Sequence, residues 1–502
     1  MTTEYENQVE EEEDLSFGDI VWGQFKKNRV AYSSLWVLIL LFLVAICTPL
    51  LASGRPFYWS ENGVTSFPWF AALFDRNYYE NGVDIFFNLL LVLGIPMFGI
   101  FLLRMKQLRT TGLTKRPRRR KLLNEGLGFF AAFLVFFSVL LYVTDGKPYV
   151  QYHDKYIESQ LYSQLEDVQA AFAQEKKDSS QLSDEQKELI STMNRLNLNP
   201  EDLYTESQLY SQLEDVQAAF AQEKKDSSQL SDEQKELIST MNQLRLKPEE
   251  LASGKDVSAL FAPIPYAFQK TGFKSLEDPS WNHWIGVDTA GRDVAVQMLY
   301  GIRISLSIGV IAVGIYVTIG IIIGALAGYF SGVIDMVVQR VIEIVMSVPT
   351  LIVLLVLIAF IEKPSIYHIM LVIGLFRWTG VARLVRGEFY RLRNLDFVTS
   401  AVALGYKPSR IIFQHILPNA LGPVLVAATF GVAGAILTES SLSFLGLGDV
   451  SVPSWGQTLS DGYKNTAWHL ILAPGFAIFA TVSILNLVGE GLRDALDPKM
   501  RK

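Results

Sequence analysis

The amino-acid sequence predicts an all-α, polytopic membrane protein with eight transmembrane helices and an α-helical insertion on the extracytoplasmic side. Half of the 502 residues (50%) are hydrophobic, and the mean hydropathy is positive, +0.24. Apolar runs close to the ~20 residues that cross a bilayer recur along the chain. A helix in a soluble core rarely stays apolar over such a length, so the repeated runs favour a membrane protein.

Eight apolar segments are the predicted spans. They cover residues 32–51, 85–103, 127–143, 304–327, 336–360, 366–385, 421–443 and 470–488. The fourth span carries closely spaced small residues, which allow helix backbones to approach each other in lipid. These residues are Gly314, Gly320, Gly324, Ala325, Ala327 and Gly328.

Basic residues in the short loops predict the orientation of the spans. Nine Lys or Arg residues lie in the loop 104–121, and three more precede the first span. Because loops rich in Lys and Arg stay in the cytoplasm, we expect the tail 1–31 and both termini to be cytoplasmic. The basic run 115–121 has no interleaved aromatic residues and lies between two spans, so we expect it to meet anionic lipid and no nucleic acid.

A long polar insertion, 145–282, follows the first membrane section, 32–144. Within it, residues 158–203 recur as 206–251, at a period of 48 residues and with differences at four positions. Such close identity indicates a recent tandem duplication. Each copy predicts two helices with apolar stripes, which must be buried against a neighbour. The insertion is either a docking platform for another protein or a tolerated spacer, and both interpretations fit the pattern.

A polar, basic segment, 395–418, lies between the sixth and seventh spans. Small residues precede Gly405, and a Leu-Pro pair ending at Pro418 follows it. Glycine permits a turn at which a β-carbon would be strained, and proline is favourable where a helix begins, so we expect Pro418 to open the seventh span. The pattern resembles the EAA loop of bacterial ABC importer permeases, where a short cytoplasmic helix docks on the ATPase. Thr399 and Ser400 stand where that family has Glu and Ala.

Three further segments are similar to the permease C subunits of oligopeptide and dipeptide ABC importers (OppC/DppC type). They are GVDTAGRDVAVQMLYGIRISLSIG at 286–309, LTESSLSFLGLG at 437–448 and GEGLRDALDPKMR at 489–501. The resemblance covers the chain from about residue 283 to 502, together with the first span. In the first loop, residues 55–57 and 67–68 are more similar to the Yej-type peptide permeases.

This resemblance implies a six-helix ABC permease domain, formed by residues 283–502 with the first span, to which the second and third spans are an additional pair. It implies a cytoplasmic (inner) membrane location and four kinds of partner: a second homologous permease, two ATPase subunits, an extracytoplasmic substrate-binding protein and a peptide substrate. The residues that the resemblance assigns to ATPase coupling are Thr399, Ser400, Ala401, Ala403, Leu404, Gly405, Tyr406, Lys407, Arg410, Leu417 and Pro418.

Ionisable residues inside the spans are candidates for the translocation path, because a charge in the membrane is unfavourable unless it meets a partner or water. Glu439 lies late in the seventh span beside Ser440 and Ser441, in a sequence that predicts an end of the helix near the outer face. Glu343 follows Arg340 by one helical turn in the fifth span. The alternative for either glutamate is a buried ion pair or a hydrogen-bonded carboxyl group that holds helices in register.

The Gly-Arg-Asp segment before the fourth span predicts a structural feature of the outer face. We interpret Asp288, Arg292 and Asp293 as a helix cap and a salt-bridged collar. Trp281 and Trp284 are the expected interfacial anchors.

No catalytic apparatus is expected. The sequence has no G-x-x-x-x-G-K-[ST] phosphate loop, and its five histidines lack metal-ligand spacing, so we expect no enzyme activity, no cofactor and no metal. The alternatives to an ABC permease are an ATP-independent channel or secondary transporter, and a membrane-anchored scaffold that presents the repeats. Within ABC importers, the alternatives to ordinary peptides are nickel chelates and peptide antibiotics.

Overall fold

The computed structural model describes residues 17–61, 63–76, 78–79, 81–110, 115–143 and 257–497. Most of these residues are helical. The two repeat copies, 158–203 and 206–251, lie outside the described residues. The end of the insertion that is described, 257–282, is one strand followed by irregular loop.

The elements follow in chain order. They are α1 Phe17–Lys27, α2 Arg29–Leu51, β1 Tyr58–Glu61, β2 Val64–Ser66, α3 Pro68–Ala72, α4 Gly82–Leu89, a π-turn Leu90–Gly94, α5 Ile95–Thr110, α6 Lys115–Val143, β3 Val257–Leu260, α7 Val294–Phe330, α8 Gly332–Ser347, α9 Thr350–Ala359, α10 Ile366–Leu392, α11 Asp396–Ala403, α12 Pro408–Arg410, a π-turn Ile411–Ile416, α13 Leu417–Phe444, α14 Trp455–Asn465 and α15 Trp468–Leu496.

The predicted membrane spans are confirmed as helices. Among the described residues, seven helices are long and apolar enough to cross a membrane, and the count is eight if α8 and α9 form one broken span. These two helices meet at 75°. The break falls before Pro349, where Val348 is in an extended conformation. Proline lacks an N–H group and disfavours helical geometry at the preceding residue, so the fifth span bends there.

Several helices extend beyond the apolar segments that predicted them. The fourth predicted span, 304–327, belongs to the helix Val294–Phe330, and the seventh, 421–443, belongs to Pro408–Phe444. Backbone hydrogen bonds continue along a helix whether its flanking side chains are apolar or polar. Hydropathy therefore predicted the apolar part of each of these helices, but it did not predict the residues at which the helix begins and ends.

The centre of the membrane domain is the packing of α7 against α10. Gly320, Gly324 and Gly328 form one small-residue ridge of α7 at four-residue spacing. A β-carbon at these positions would lie 2.6 Å from Val381, 2.5 Å from Ala382 and 2.5 Å from Phe389, respectively. The helices approach this closely because the ridge has no side chains, as the closely spaced glycines predicted.

A small antiparallel sheet, with strand order β2-β1-β3, joins the first loop to the end of the insertion. Trp59 of β1 is paired with Ser66 of β2 and with Ala259 of β3. The hydropathy analysis did not anticipate this sheet, because its strands are only three or four residues long. The sheet places residues near 260 beside residues near 60, so the described end of the insertion lies against the first loop.

The additional pair of spans is attached to the domain through α4 and α7. Arg303 of α7 donates from Nε to the Ala45 carbonyl at 2.7 Å and from Nη1 to Asp84 of α4 at 3.1 Å. The rings of Phe87 and Tyr300 lie 5.4 Å from the guanidinium carbon. One buried arginine thus connects α2, α4 and α7.

Candidate coupling site

The first half of the predicted coupling segment is the short helix α11, which ends in a glycine turn. The N–H of Gly405 donates to the Val402 carbonyl at 2.9 Å, and the N–H of Tyr406 donates to the Ala401 carbonyl at 3.2 Å. This pair of bonds is the Schellman arrangement, which requires a left-handed residue. Gly405 has φ +73°, and nothing lies within 4 Å of the place where its β-carbon would be. The left-handed backbone conformation explains why glycine occupies position 405, whereas close packing against the described residues does not.

The helix α11 has an inner face that anchors it and an outer face that is open. Val398 and Ala401 are buried, and they belong to the main core with Ile411, Ile412 and Ile416 of the following π-turn. The outer face, formed by α11 together with the residue on either side of it, carries exposed apolar side chains in a segment that is otherwise polar and basic. These are Leu395, Phe397, Val402 and Leu404, and Phe413 is exposed on the adjacent π-turn. Exposed apolar clusters of this kind mark surfaces that bind a protein or a membrane.

The predicted coupling residues divide between these faces. Ala401 is buried and Leu417 is packed against the core. Tyr406 is partly buried between the His415 ring, at 5.8 Å, and the Arg410 guanidinium, at 4.2 Å. The exposed members are Thr399, Ser400, Ala403, Leu404, Gly405, Lys407, Arg410 and Pro418.

Pro418 lies in the first turn of α13, the α-helical part of the seventh span, as expected. The continuous helix begins ten residues earlier, at Pro408, which occupies the first helical position after Lys407. Pro418 lies inside this helix, directly after the π-turn. Proline has no N–H group for the helical ladder, and the wider π-turn that precedes it changes the pairing there: the N–H of Leu417 bonds to the Ile412 carbonyl.

Charged contacts connect the end of α10, immediately before α11, with the turn between α7 and α8. Asp335 near the start of α8 accepts hydrogen bonds from Arg386 Nη2 and the Tyr390 hydroxyl, both at 2.7 Å. Arg393 donates to the Gly328 and Tyr329 carbonyls at the end of α7, each at 3.4 Å. The sequence analysis missed this group. The only signal was an isolated aspartate five residues after Phe330, at the end of a glycine-rich helix.

Glu439 is buried among hydroxyl groups and is not open to a channel in this conformation. It is 2% exposed and accepts hydrogen bonds from Ser443 at 2.7 Å, Ser454 at 2.8 Å and Ser440 at 3.4 Å. Ser454 also caps α14 by accepting from the Gly456 N–H at 3.2 Å. Glu439 therefore joins the end of α13 to the start of α14. The sequence did not identify Ser443 and Ser454 as partners of Glu439. Ser443 reaches the carboxyl group because it lies one helical turn further along α13, and Ser454 reaches it from the loop before α14.

The other two candidates for the translocation path lie apart from this carboxyl group. Ser441 is exposed and donates to the Leu437 carbonyl of its own helix at 2.7 Å. Glu343 forms an ion pair with Arg340 at 2.6 Å, and the side chains are 57% and 75% exposed. The expected pairing is present, but in this single chain it lies at the surface and is not buried.

The predicted cap and collar before α7 are confirmed. Asp293 is the N-cap residue of α7 and accepts from the Val296 N–H at 3.0 Å. Asp288 pairs with Arg292 at 2.7 Å. The two tryptophans expected at the interface, Trp281 and Trp284, are exposed.

Comparisons with known proteins assign the family. Residues 320–502 match the family described as "Binding-protein-dependent transport system inner membrane component", and residues 16–66 match the "N-terminal TM domain of oligopeptide transport permease C". The oligopeptide transport system permease protein OppC of Bacillus subtilis is 40% identical over 251 residues, which is 49% of this chain and 82% of the relative. This chain belongs to the OppC/DppC family of ABC importer permeases.

Two further comparisons accompany this assignment. The dipeptide transport system permease protein DppC of Alkalihalophilus pseudofirmus is 40% identical to this OppC/DppC-type chain over 250 residues, or 48% of this chain and 82% of the relative. A structure of the MetNI methionine ABC transporter in an inward-facing conformation has 16% sequence identity and a TM-score of 0.34, and it covers 40% of this chain and 96% of the matched chain.

As an OppC/DppC-type permease, the protein is a multi-pass membrane component of an ABC importer and not an enzyme. The matched region 320–502 contains α11, the π-turn Ile411–Ile416 that follows it, and the helix Leu417–Phe444 of the seventh span. The coupling candidates therefore lie within the part of the chain that defines the family.

Proposed function

We propose that this permease forms half of the translocation pathway of a peptide importer and couples it to cytoplasmic ATPase subunits through α11. The observation that carries the proposal is the exposed apolar outer face of α11, held by a buried inner face and closed by the Gly405 turn. The two relatives named above are oligopeptide and dipeptide permeases, which supports peptides as the substrate class.

The proposed partners follow from what this chain contributes and what it lacks. The sequence has no phosphate loop, so ATP must be bound by other subunits, of which we propose two. A second homologous permease completes the pathway, and an extracytoplasmic binding protein delivers the peptide. Among the described helices, α8 and α9 present many exposed apolar side chains, including Val333, Ile344 and Phe360. These surfaces fit contact with the second permease or with lipid.

The charged contacts beside α11 suggest how movement is transmitted. When the ATPases close, α11 moves with them, because its outer face is docked. Arg393 holds the end of α10 to the carbonyls that end α7, and Arg386 holds it to Asp335 of α8. Displacement of α11 therefore displaces the turn between α7 and α8. The left-handed residues Ser331 and Gly332, with φ of +51° and +60°, make that turn.

The proposed topology places both termini and α11 in the cytoplasm and the insertion, 145–282, outside. The basic loops give the direction, since each of them falls on the cytoplasmic side in this arrangement. The protein then lies in the cytoplasmic (inner) membrane with its domain boundaries at 32–144, 145–282 and 283–502. The duplicated segment is either a platform for the binding protein or a spacer between spans.

Uptake by a reconstituted complex tests the proposal. The complete complex, with its second permease, ATPases and binding protein, is placed in vesicles that contain ATP, and entry of a labelled oligopeptide is measured. We expect uptake that requires both ATP and the binding protein. A nickel chelate and a peptide antibiotic are the comparison substrates. Uptake that continues without ATP would contradict the importer and favour a channel, and selective uptake of either comparison substrate would contradict the peptide assignment.

A further inference from the structure

Arg377 is a charged side chain deep in the membrane domain, and the described residues give it no carboxylate partner. It is the twelfth residue of α10, Ile366–Leu392. At 1.5 Å per residue it lies about 17 Å from the outer end of the helix and about 23 Å from the cytoplasmic end. A lipid head group is out of reach at that depth, because the hydrocarbon core is about 30 Å thick.

Three other arginines of the described membrane helices have carboxylate partners within the chain. Arg303 pairs with Asp84, Arg340 pairs with Glu343, and Arg386 pairs with Asp335. By contrast, no hydrogen bond or ion pair joins Arg377 to any side chain in the described part of the protein. An arginine in a membrane helix is unfavourable unless it faces water or an anion. The described residues therefore do not supply its counter-charge, and water or an anion from elsewhere must meet it.

Arg377 lies against α13 beside a buried tyrosine. Nη1 packs on the backbone of Gly434 of α13, where a β-carbon would lie only 2.7 Å away. The hydroxyl of Tyr316, a buried residue of α7, packs on Gly431 of the same helix, three residues before Gly434. Arg377 itself is only partly buried. A charged donor, a phenol and a glycine that adds no side chain thus meet where three helices come together.

Gly434 lies on an open face of α13. Residues that are exposed or partly exposed recur there at alternating spacings of four and three, which is one side of a helix. They are Pro423, Ala427, Phe430, Gly434, Leu437 and Ser441. This stripe runs the length of the span and includes Ser441, a residue proposed for the translocation path. Arg377 lies at its centre.

We propose that Arg377 is an anion-binding subsite of the translocation path and binds a carboxylate of the peptide in transit. This inference rests on the proposed function, which supplies the substrate class. Every unmodified peptide has a terminal carboxylate, and the guanidinium donates two parallel N–H bonds to that group. The glycine at position 434 lets Nη1 pack on α13, and the guanidinium group as a whole stays only partly buried.

The test compares two peptides that differ only at the C-terminus, one with a free carboxylate and one amidated. The pair is chosen by titration so that the binding protein binds both, and uptake by the complete complex in vesicles is measured for each. The ratio of the two uptake rates cancels effects on expression and ATP hydrolysis. We expect Arg377→Gln to lower this ratio about tenfold, since a charge-assisted hydrogen bond contributes on the order of a factor of ten or more.

Two further variants make the comparison specific. Arg377→Lys keeps the charge and should retain most of the preference for the free carboxylate. Arg383→Gln removes an exposed arginine six residues further along α10 and should leave the ratio unchanged.

Other outcomes overturn the inference in distinguishable ways. If Arg377→Gln prevents copurification of the second permease, the counter-charge belongs to that subunit. If uptake of both peptides falls equally, Arg377 has a structural role. If the wild-type complex transports neither peptide, the proposed function fails and the subsite fails with it.

Discussion

Asp84 of α4 and Arg303 of α7 form an ion pair 3.1 Å long with side chains that are 1% and 0% exposed. The two residues are 219 positions apart, and Asn81 holds the second carboxylate oxygen of Asp84 at 2.7 Å. This ion pair therefore joins the additional pair of spans, which carries Asp84, to the permease domain, which carries Arg303. The π-turn that follows α4 continues into a helix whose outer surface is largely exposed.

Asp84→Asn should destabilise the isolated permease by about 3–5 kcal/mol, because it leaves Arg303 buried without a counter-charge. Thermal unfolding in detergent measures the effect. Glu125→Gln is the matched control, since its pair with Arg104 is on the same additional spans but is 27% and 44% exposed. Equal stability of the two variants would mean that water reaches Arg303. The double variant Asp84→Leu with Arg303→Met should recover much of the loss.

Gly405→Ala should weaken the end of α11 by about 1–2 kcal/mol through the left-handed backbone, and Gly405→Asn should be milder. Gly405→Arg has the same backbone strain. Because none of the described residues lies within 4 Å of the added β-carbon, we assign any loss beyond that of Gly405→Ala to a docked partner and not to overpacking against them. Copurification of the ATPases measures it. Wild-type coupling in Gly405→Arg would exclude 395–418 as the coupling element.

Asp335→Asn should separate ATP hydrolysis from transport. The variant weakens the contact between α8 and the end of α10, while the docking face of α11 is unchanged. We expect ATP hydrolysis close to the wild-type rate. Peptide uptake should fall about fivefold or more, because a coupling free energy of about 1–3 kcal/mol corresponds to a factor of about five or more. Glu388→Gln, which breaks the exposed pair with Arg391 on the same helix, is the control. Parallel loss of hydrolysis and uptake would contradict a transmitting role.

The proposed topology predicts opposite labelling of two exposed serines. In a Cys47→Ser background, which removes the one native cysteine, Ser275→Cys should react with an impermeant thiol reagent in intact cells once any outer envelope is permeable. Ser409→Cys, beside α11, should react only after the cytoplasmic membrane is opened. The reverse pattern would invert every span. Labelling of both before lysis would show that the membrane was not intact and calls for repetition with a cytoplasmic marker enzyme.

The collar before α7 predicts a pH dependence of stability through Asp461 of α14. Partial burial, followed by the nearby charge of Asp288, raises the pKa of Asp461 above its usual value of 3.8. A carboxyl group whose pKa is raised by folding favours the folded state below its unfolded pKa, and this contribution is lost as pH rises through the folded pKa. Asp461→Asn should therefore raise the unfolding temperature at pH 7.

That advantage of Asp461→Asn should shrink as the pH is lowered through the folded-state pKa of Asp461, because the wild-type carboxyl group then becomes neutral as well. Thermal scans at several pH values measure it, with Glu362→Gln, an exposed carboxylate, as the control. An advantage that is the same at all pH values would assign the effect to packing and not to charge.

Local features of this chain were predictable because short-range physics determines them. Asp293 caps α7 from a position three residues before the N–H that it binds, and Gly405 makes a turn with neighbours only four residues away. The same reasoning did not predict that the helical run begins ten residues before Pro418, at Pro408. Pro408 and Pro418 are both compatible with a helix start, and the π-turn between them, which lets the helix continue through Pro418, has no pattern that hydropathy detects.

The sequence by itself determined the helical membrane class and the position of each span, because in lipid every backbone N–H and C=O must bond within its own helix and the side chains around it must be apolar. Only the tertiary structure decided which distant side chains meet. Asp84 reaches Arg303, and Ser454 reaches Glu439, because the packing of α7, α13 and their neighbours brings them together. The same packing leaves Arg377 without a carboxylate among the described residues. A buried charge needs a counter-charge, but neither hydropathy nor spacing specifies which residue supplies it.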